Sequence, residues 1–447
     1  FEYDWRGLVT SARHRFWAQK DGTGKDWNET GTTFWSDEDA WDPVVDDTDR
    51  GNITDWLDLP DLTDPTTIEV TTTYDAAGRP TEVGYPEGMA IRTSYDEAGH
   101  ISGIEVDRDG TGYADVVADL RYNARGQLSR LTHGNGVVTT REHDADLERL
   151  VRIYSSHDDG TLTEFQDLSY AYDPVGNPVA ITDNLASSSY KANTIIPNTR
   201  AFEYDPRYRL IRATGKKHAS VVPRADDIEV PSPDPNDYDA YDYTYSYDPV
   251  GNLTRNDEYA SSLYYKSGRI DLFNGDSTEA GSFTDPATGN FRYDDNGNTL
   301  KTPRLEALAY THDDQCRWVK LNSGGDAVRY FRHADQRVLR FVKKGQVQAL
   351  SVYLGPFEYH SRDGGSGGTT YGKLVLHVHG HGRHAQVENV LSGSDPDSLD
   401  VFYHHGDHLG SGHVLTKDDA TLLSQEEYFP YGRSSDRRDA RNRYRFI

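Results

Sequence analysis

Between Phe357 and Thr416 the sequence "FEYHSRDGGSGGTTYGKLVLHVHGHGRHAQVENVLSGSDPDSLDVFYHHGDHLGSGHVLT" concentrates the residues best suited to chemistry. His377, His379 and His381 alternate in "LHVHGHGRH", while His404, His405, His408 and His413 crowd around Asp407. Neutral imidazole ligates zinc and other transition ions, and it is also the side chain that changes charge near neutral pH. Alternate side chains of a strand share one face, so His377, His379 and His381 form a candidate transition-metal set. Same-face neighbours lie about 7 Å apart, too far for one tetrahedral ion unless a bulge at Gly380 or Gly382, or a cross-strand partner, closes the gap. The favoured reading is strand and turn, with half-buried histidines paired to Asp407.

Carboxylates offer two further candidates. In "EVDRDGTGYAD", Glu105, Asp107, Asp109 and Asp115 alternate around Gly110, resembling the start of a calcium loop, in which several oxygens converge at a glycine bend. The twelfth loop position would be Val116 rather than a bidentate Glu, so a solvated hairpin tip is favoured. The "DPVG" copies at 173–176 and 248–251 could supply an acid and a base only if two carboxylates shared a proton. Each follows a Tyr and precedes an Asn, which reads as a turn. No phosphate loop, nucleophile elbow or zincin signature occurs, so the expectation is no catalytic residue, no cofactor and no enzyme.

The elements that must position these residues come from a repeat. Its unit is an aromatic, then Asp or Asn, two variable residues, Gly and a polar residue. It is clearest at Tyr74-Asp75-Gly78, Tyr95-Asp96-Gly99, Tyr172-Asp173-Gly176, Tyr247-Asp248-Gly251 and Tyr293-Asp294-Gly297, with further copies from Tyr3 and Tyr122. "YDPRYRL" at Tyr204 lacks the Gly, and "HDADLERL" at His143 and "HADQRVL" at His333 are looser. Tyr74 and Tyr95 are 21 residues apart, as are Tyr122 and His143, and His312 and His333. Asp accepts hydrogen bonds from its own downstream backbone, Pro presets φ, and Gly suits the left-handed conformation that follows a type I turn. Flanking segments such as "RTSYD" and "ISGIEV" alternate with period two, so each unit predicts one hairpin. One hairpin is marginal alone, so units must stack, with the Tyr rings packing and their hydroxyls reaching solvent or polar partners. A ring recurring once per repeat reads as packing rather than sugar binding.

The chain has 447 residues, of which 30 are Tyr and 40 Gly, and only 35% are hydrophobic, a composition of strands and turns rather than buried helices. Its net charge of −26 argues against a nucleic-acid backbone as partner. No apolar run approaches the roughly 18 residues of a membrane span. Cys316 is the single cysteine, so no internal disulfide forms. Beginning at Phe1 with Met89 as its one methionine, the sequence reads as a piece of something longer. Segments 27–67 and 216–242 are acidic and Pro-rich and read as exposed loops, and 360–370 as a Gly/Ser connector.

The repeat resembles the YD repeat of the Rhs family. "YHHGDHLGSGHVLTKDDATLLSQEEYFPYGR" resembles that family's associated core through Asp407, His408, Leu409, Gly410 and Ser411 and then Tyr428, Pro430, Tyr431 and Gly432. "YLGPFEYH" and "TPRLEALAYTHDDQCRWVKL" are similar to segments of the B and C components of bacterial insecticidal toxin complexes. The resemblance implies an all-β, spiralling sheet forming a hollow shell or part of one, with repeat strands over 1–300 and the core region over 301–447. It implies a non-catalytic, secreted or cell-surface bacterial scaffold whose partner is its own C-terminal toxin or a toxin-complex subunit, with a cell-surface receptor or glycan as a further partner. The family's self-cleaving aspartyl segment follows "RYRF", so it is expected outside this sequence. A teneurin-like adhesion protein is the alternative that the same repeat allows.

Overall fold

The computed structural model describes residues 2–15, 67–219, 237–258, 262–274, 292–393 and 401–438, apart from a few positions within those spans. Nearly all of the 27–67 segment and the tip of 216–242 lie outside them. The described chain is all-β, without an α-helix. A sixteen-stranded antiparallel sheet runs from Glu2–Tyr3 to Leu253–Asn256, and a twelve-stranded one from Ala307–Tyr310 to Ser434–Arg438. Consecutive strands are neighbours throughout the second sheet. The first departs from this only where the small hairpin Ser189–Lys191 and Thr194–Ile196 forms a sheet of its own.

The repeat turns account for this meander. The Asp75 carboxylate accepts from the backbone N–H of Ala77 and Arg79, both at 2.9 Å, and Gly78 takes φ +81°. Asp173 does the same for Val175, Gly176 and Asn177. The Tyr of each unit then reaches back one repeat and donates to a backbone carbonyl: Tyr74 to Val9, Tyr95 to Pro80, Tyr122 to Ile101, Tyr172 to Leu150, Tyr204 to Pro178 and Tyr247 to Leu210, at 2.7–2.9 Å. Every acceptor lies two residues past the left-handed residue of the preceding turn. The polar partners of these hydroxyls are thus backbone carbonyls, and Tyr247 also meets the Tyr431 hydroxyl. Turn-to-turn contacts add to this, with Arg149 donating to the Asp173 carbonyl at 2.7 Å and Arg79 lying 4.4 Å from the Tyr95 ring centre.

Where Gly is lost the turn survives. Glu148 and Tyr208 hold the left-handed position with φ +59° and +63°. The same turn also forms where the repeat is unrecognisable, at 133–137, 311–315, 417–421 and 429–433. At 311–315 the aromatic position belongs to Tyr310, which corrects the frame based on His312. The expected loop 216–242 also shortens, because Leu210–His218 and Tyr238–Tyr247 are paired strands out to His218 and Tyr238. Likewise His360–Asp363 of the expected connector is strand.

The two sheets pack against each other and advance together. Met89, Ile104, Val117, Leu120 and Leu131 of the first share a core with Leu350, Phe357, Leu376, Val387 and Tyr403 of the second. Further along, Val137 and Phe165 meet Val414 and Ala420, and then Tyr241 and Tyr245 meet Phe429. Three-strand ion pairs recur, Glu82–Arg92–Glu105, Glu142–Arg152–Asp167 and Glu203–Arg212–Asp242, exposed except at the buried Asp167. The exposed pairs among them each contribute little to stability.

Two sets of variants test the repeat. Tyr172→Phe keeps the ring and deletes the donor, so it is expected to cost about 1 kcal/mol in urea unfolding. Tyr208→Gly is expected to gain about 1 kcal/mol by relieving the left-handed backbone, while Gly176→Ala, whose methyl would meet nothing nearer than Arg149 at 3.6 Å, loses about as much.

Candidate functional site

The core motif is built from the repeat's own parts. Asp407 makes a repeat turn, accepting from Leu409 and Ser411 N–H at 2.9 Å, with Gly410 at φ +91°. Tyr428 then donates to the Gly412 carbonyl at 2.8 Å, again two residues past the left-handed glycine. Pro430 and Gly432 lie in the next turn, where Phe429 takes the Asp position and buries fully against the rings of Tyr241 and Tyr243.

This turn docks on the far end of the first sheet. Glu258 is fully buried, and one carboxylate oxygen accepts from the Tyr245 hydroxyl at 2.6 Å and from Tyr431 N–H at 3.3 Å. Arg433 donates to the Glu258 carbonyl at 2.7 Å, and the Tyr431 and Tyr247 hydroxyls meet at 2.8 Å. Burial pushes the Glu258 carboxyl up to about 7, against the opposing pull of its hydrogen bonds and Arg433. Nearby, buried Lys216 and Glu427 approach to 3.5 Å, and Tyr238 donates to Asp436 at 2.7 Å. Burial would raise the Glu427 carboxyl, but Lys216, Arg200 and His413 outweigh it and hold it low.

The histidines separate into different surroundings. His377 and His379 stay neighbours, their ring centres 6.1 Å apart, but the strand Tyr371–Gly380 ends before His381. His377 is buried, 3.3 Å from the Glu358 carboxylate, His379 is exposed, and His381 sits past the strand, edge-on to Tyr122. The calcium candidates do not converge either. Asp107 accepts from Gly110 N–H, Asp109 from Thr111, and Glu105 faces Arg92 and Asp115 across strands. Among the described residues no three His, Cys, Asp or Glu side chains are placed to hold an ion. Nor do histidines pair with Asp407 as a group: His405 meets Thr416 at 3.0 Å, and His413 meets Gln166 at 3.0 Å.

The strands Val347–Leu354 and Phe357–Asp363 hold a contact chain that the sequence did not suggest. Ser351 Oγ lies 2.8 Å from His360 Nδ1, and His360 Nε2 lies 2.8 Å from Glu358. Ser351 and His360 are direct cross-strand partners, and Ser351 is buried, so the chain satisfies polar groups on a covered sheet face. Lys373, Glu388 and Gln386 continue this face with bonds of 2.8–3.0 Å.

Glu258 gives the docked turn a pH dependence. Its folded pKa is raised, so its stabilising contribution is full below the unfolded carboxyl value of 4.5 and is lost as pH rises through about 7. Unfolding measured from pH 5 to 8 is expected to show a loss of roughly 2–4 kcal/mol that Glu258→Gln abolishes.

Comparisons with known proteins agree with this architecture. Residues 74–111 match the RHS repeat. The chain is 28% identical over 408 residues to Toxin subunit YenC1 of Yersinia entomophaga, covering 84% of this chain and 40% of that protein. To Toxin subunit YenC2 of the same organism it is 28% identical over 385 residues, covering 81% and 39%. A crystal structure of TcdB2-TccC3-Cdc42 superposes with TM-score 0.75 at 23% identity, over 98% of this chain and 20% of that one. The Photorhabdus luminescens Tc holotoxin pore gives 0.74 at 23% identity, over 98% and 20%. The chain thus spans about two fifths of the curated relatives and a fifth of the chains in those structures. It carries an RHS repeat at 74–111, shares its fold with the toxin-complex structures, and resembles toxin-complex subunits over most of its length.

Proposed function

We propose that the chain is a non-catalytic wall of a secreted toxin-complex shell, with the repeat strands of 1–300 and the core region of 301–447 together enclosing a toxin polypeptide. The carrying observation is the ladder of turns and Tyr rungs along the first sheet, whose turn and rung recur in the core motif at Asp407 and Tyr428. A sheet this long must manage its edges, and curving into a shell with a second subunit does so. The partner that fits is a toxin-complex subunit, since the superposed structures pair TcdB2 with TccC3. Similarity to toxin subunits favours this reading over adhesion.

The test is intact mass measurement of the full-length protein under native and denaturing conditions. A second polypeptide that stays bound natively, resists added protease and separates on denaturation is the expected result. One uncleaved chain with every segment open to protease would overturn enclosure.

A further inference from the structure

Three histidines, His133, His384 and His405, are buried where the middle of the second sheet meets the first, and His404 lies behind them on the opposite face of its strand, against Phe402. His133 closes the strand Leu128–His133, and His384, His404 and His405 come from Gly382–Gly393 and Val401–Gly406. All are 5% exposed or less. The His133 ring lies 4.6 Å from His405, 5.4 Å from Tyr403 and 6.3 Å from His384. Neither His133 nitrogen has a hydrogen-bond partner, nor do Nε2 of His384 and His404. His405 is the exception, placed between Thr416 at 3.0 Å and Thr139 at 3.5 Å.

The charged groups facing these rings are bases. His384, His404 and His405 act on His133, while Arg141, His379 and His381 act on His384. Arg383, His377, His379 and His405 act on His404, while His384 and His413 act on His405. Carboxylates are directed elsewhere: Asp115 and Asp418 act on Tyr403, and Glu427, Asp183 and Asp407 on His413.

We propose that this seam is an acid-sensitive joint, at which protonation of His133, His384 and His405 drives the second sheet away from the first. Each new charge would be buried, lack a facing carboxylate and repel its neighbours. Burial, reinforced by these bases, holds His384 and His405 down to about 3, and His133 well below the ordinary imidazole value. The linkage sign follows. Depressed histidines stabilise the joint fully above the unfolded value of 6.5, and that contribution is lost as pH falls toward 3. From pH 7.5 to 5.0 each contributes about a thirty-fold shift toward the open form. The joint does not depend on what the shell contains.

Hydrogen exchange of the intact protein at pH 7.5 and 5.0, corrected for intrinsic rates, tests this. Strands within 128–143 and 382–417 are expected to lose at least thirty-fold more protection than strands between 67 and 95, and to regain it on neutralisation. His133→Phe forfeits no hydrogen bond, so it should keep its protection at pH 7.5 and reduce the acid response by about thirty-fold. Equal losses in seam and reference strands would overturn the proposal. So would a folded His133→Phe variant as acid-sensitive as the parent, and if that variant does not fold, the parent's comparison of strands decides.

Discussion

The structure depends on one hydrogen bond repeated along it, from a tyrosine hydroxyl to a backbone carbonyl two residues past the preceding turn. Each rung joins three features: the left-handed residue that ends the turn, the strand leaving it, and the strand entering the next turn. From Tyr74 to Tyr247 its length varies only between 2.7 and 2.9 Å, although the units range from 21 residues apart to much longer spacings with insertions. A neutral bond of this kind contributes about 1 kcal/mol net, which is small beside the entropy of ordering a hairpin. Its main effect is on register. A one-residue slip would reverse the faces of the strand and take the hydroxyl from its acceptor.

Because the rung needs only a ring, a hydroxyl and a carbonyl, the rest of the unit can vary. Asp gives way to Phe429 where the turn must enter a core, and Gly gives way to Glu148, Tyr208, Asp314 or Ala420 at a cost in backbone strain. The core motif follows the same rule. Asp407 to Ser411 is a repeat turn and Tyr428 its rung, so this stretch extends the sheet while its side chains turn toward the other sheet.

Local chemistry was legible in the sequence, and long-range partnership was not. Tyr-Asp-Gly spacing specifies turn and strand through interactions within five residues, so the all-β meander and the turn roles of Asp75, Asp96, Asp173 and Asp248 could be read directly. The turns at 133–137, 311–315, 417–421 and 429–433 lacked the Asp or the aromatic, and with them the signal. Alternation held for His377 and His379, whose rings lie 6.1 Å apart, and failed only at His381, because the strand ends at Gly380 in a glycine-rich run. Glu258 gave no local sign of its role, since Tyr431 and Arg433 are more than 170 residues away.

The contact between the sheets changes character along its length, and this grading follows from burial. At one end it is apolar, from Met89 to Tyr403, and indifferent to pH. In the middle are neutral histidines, which favour association only while uncharged. At the far end are Lys216 with Glu427, and Glu258 with the Tyr431 turn, where charge is already present or is kept off a carboxyl by burial. Removing one member of a buried pair leaves an uncompensated charge, so the far end specifies alignment even where an apolar contact would stabilise as much. Protons act oppositely on the two polar regions: binding them opposes the histidine contact, and losing one opposes the Glu258 contact. The apolar end therefore holds the sheets together across conditions, while the polar regions confine full contact to a window bounded on both sides by ionisation.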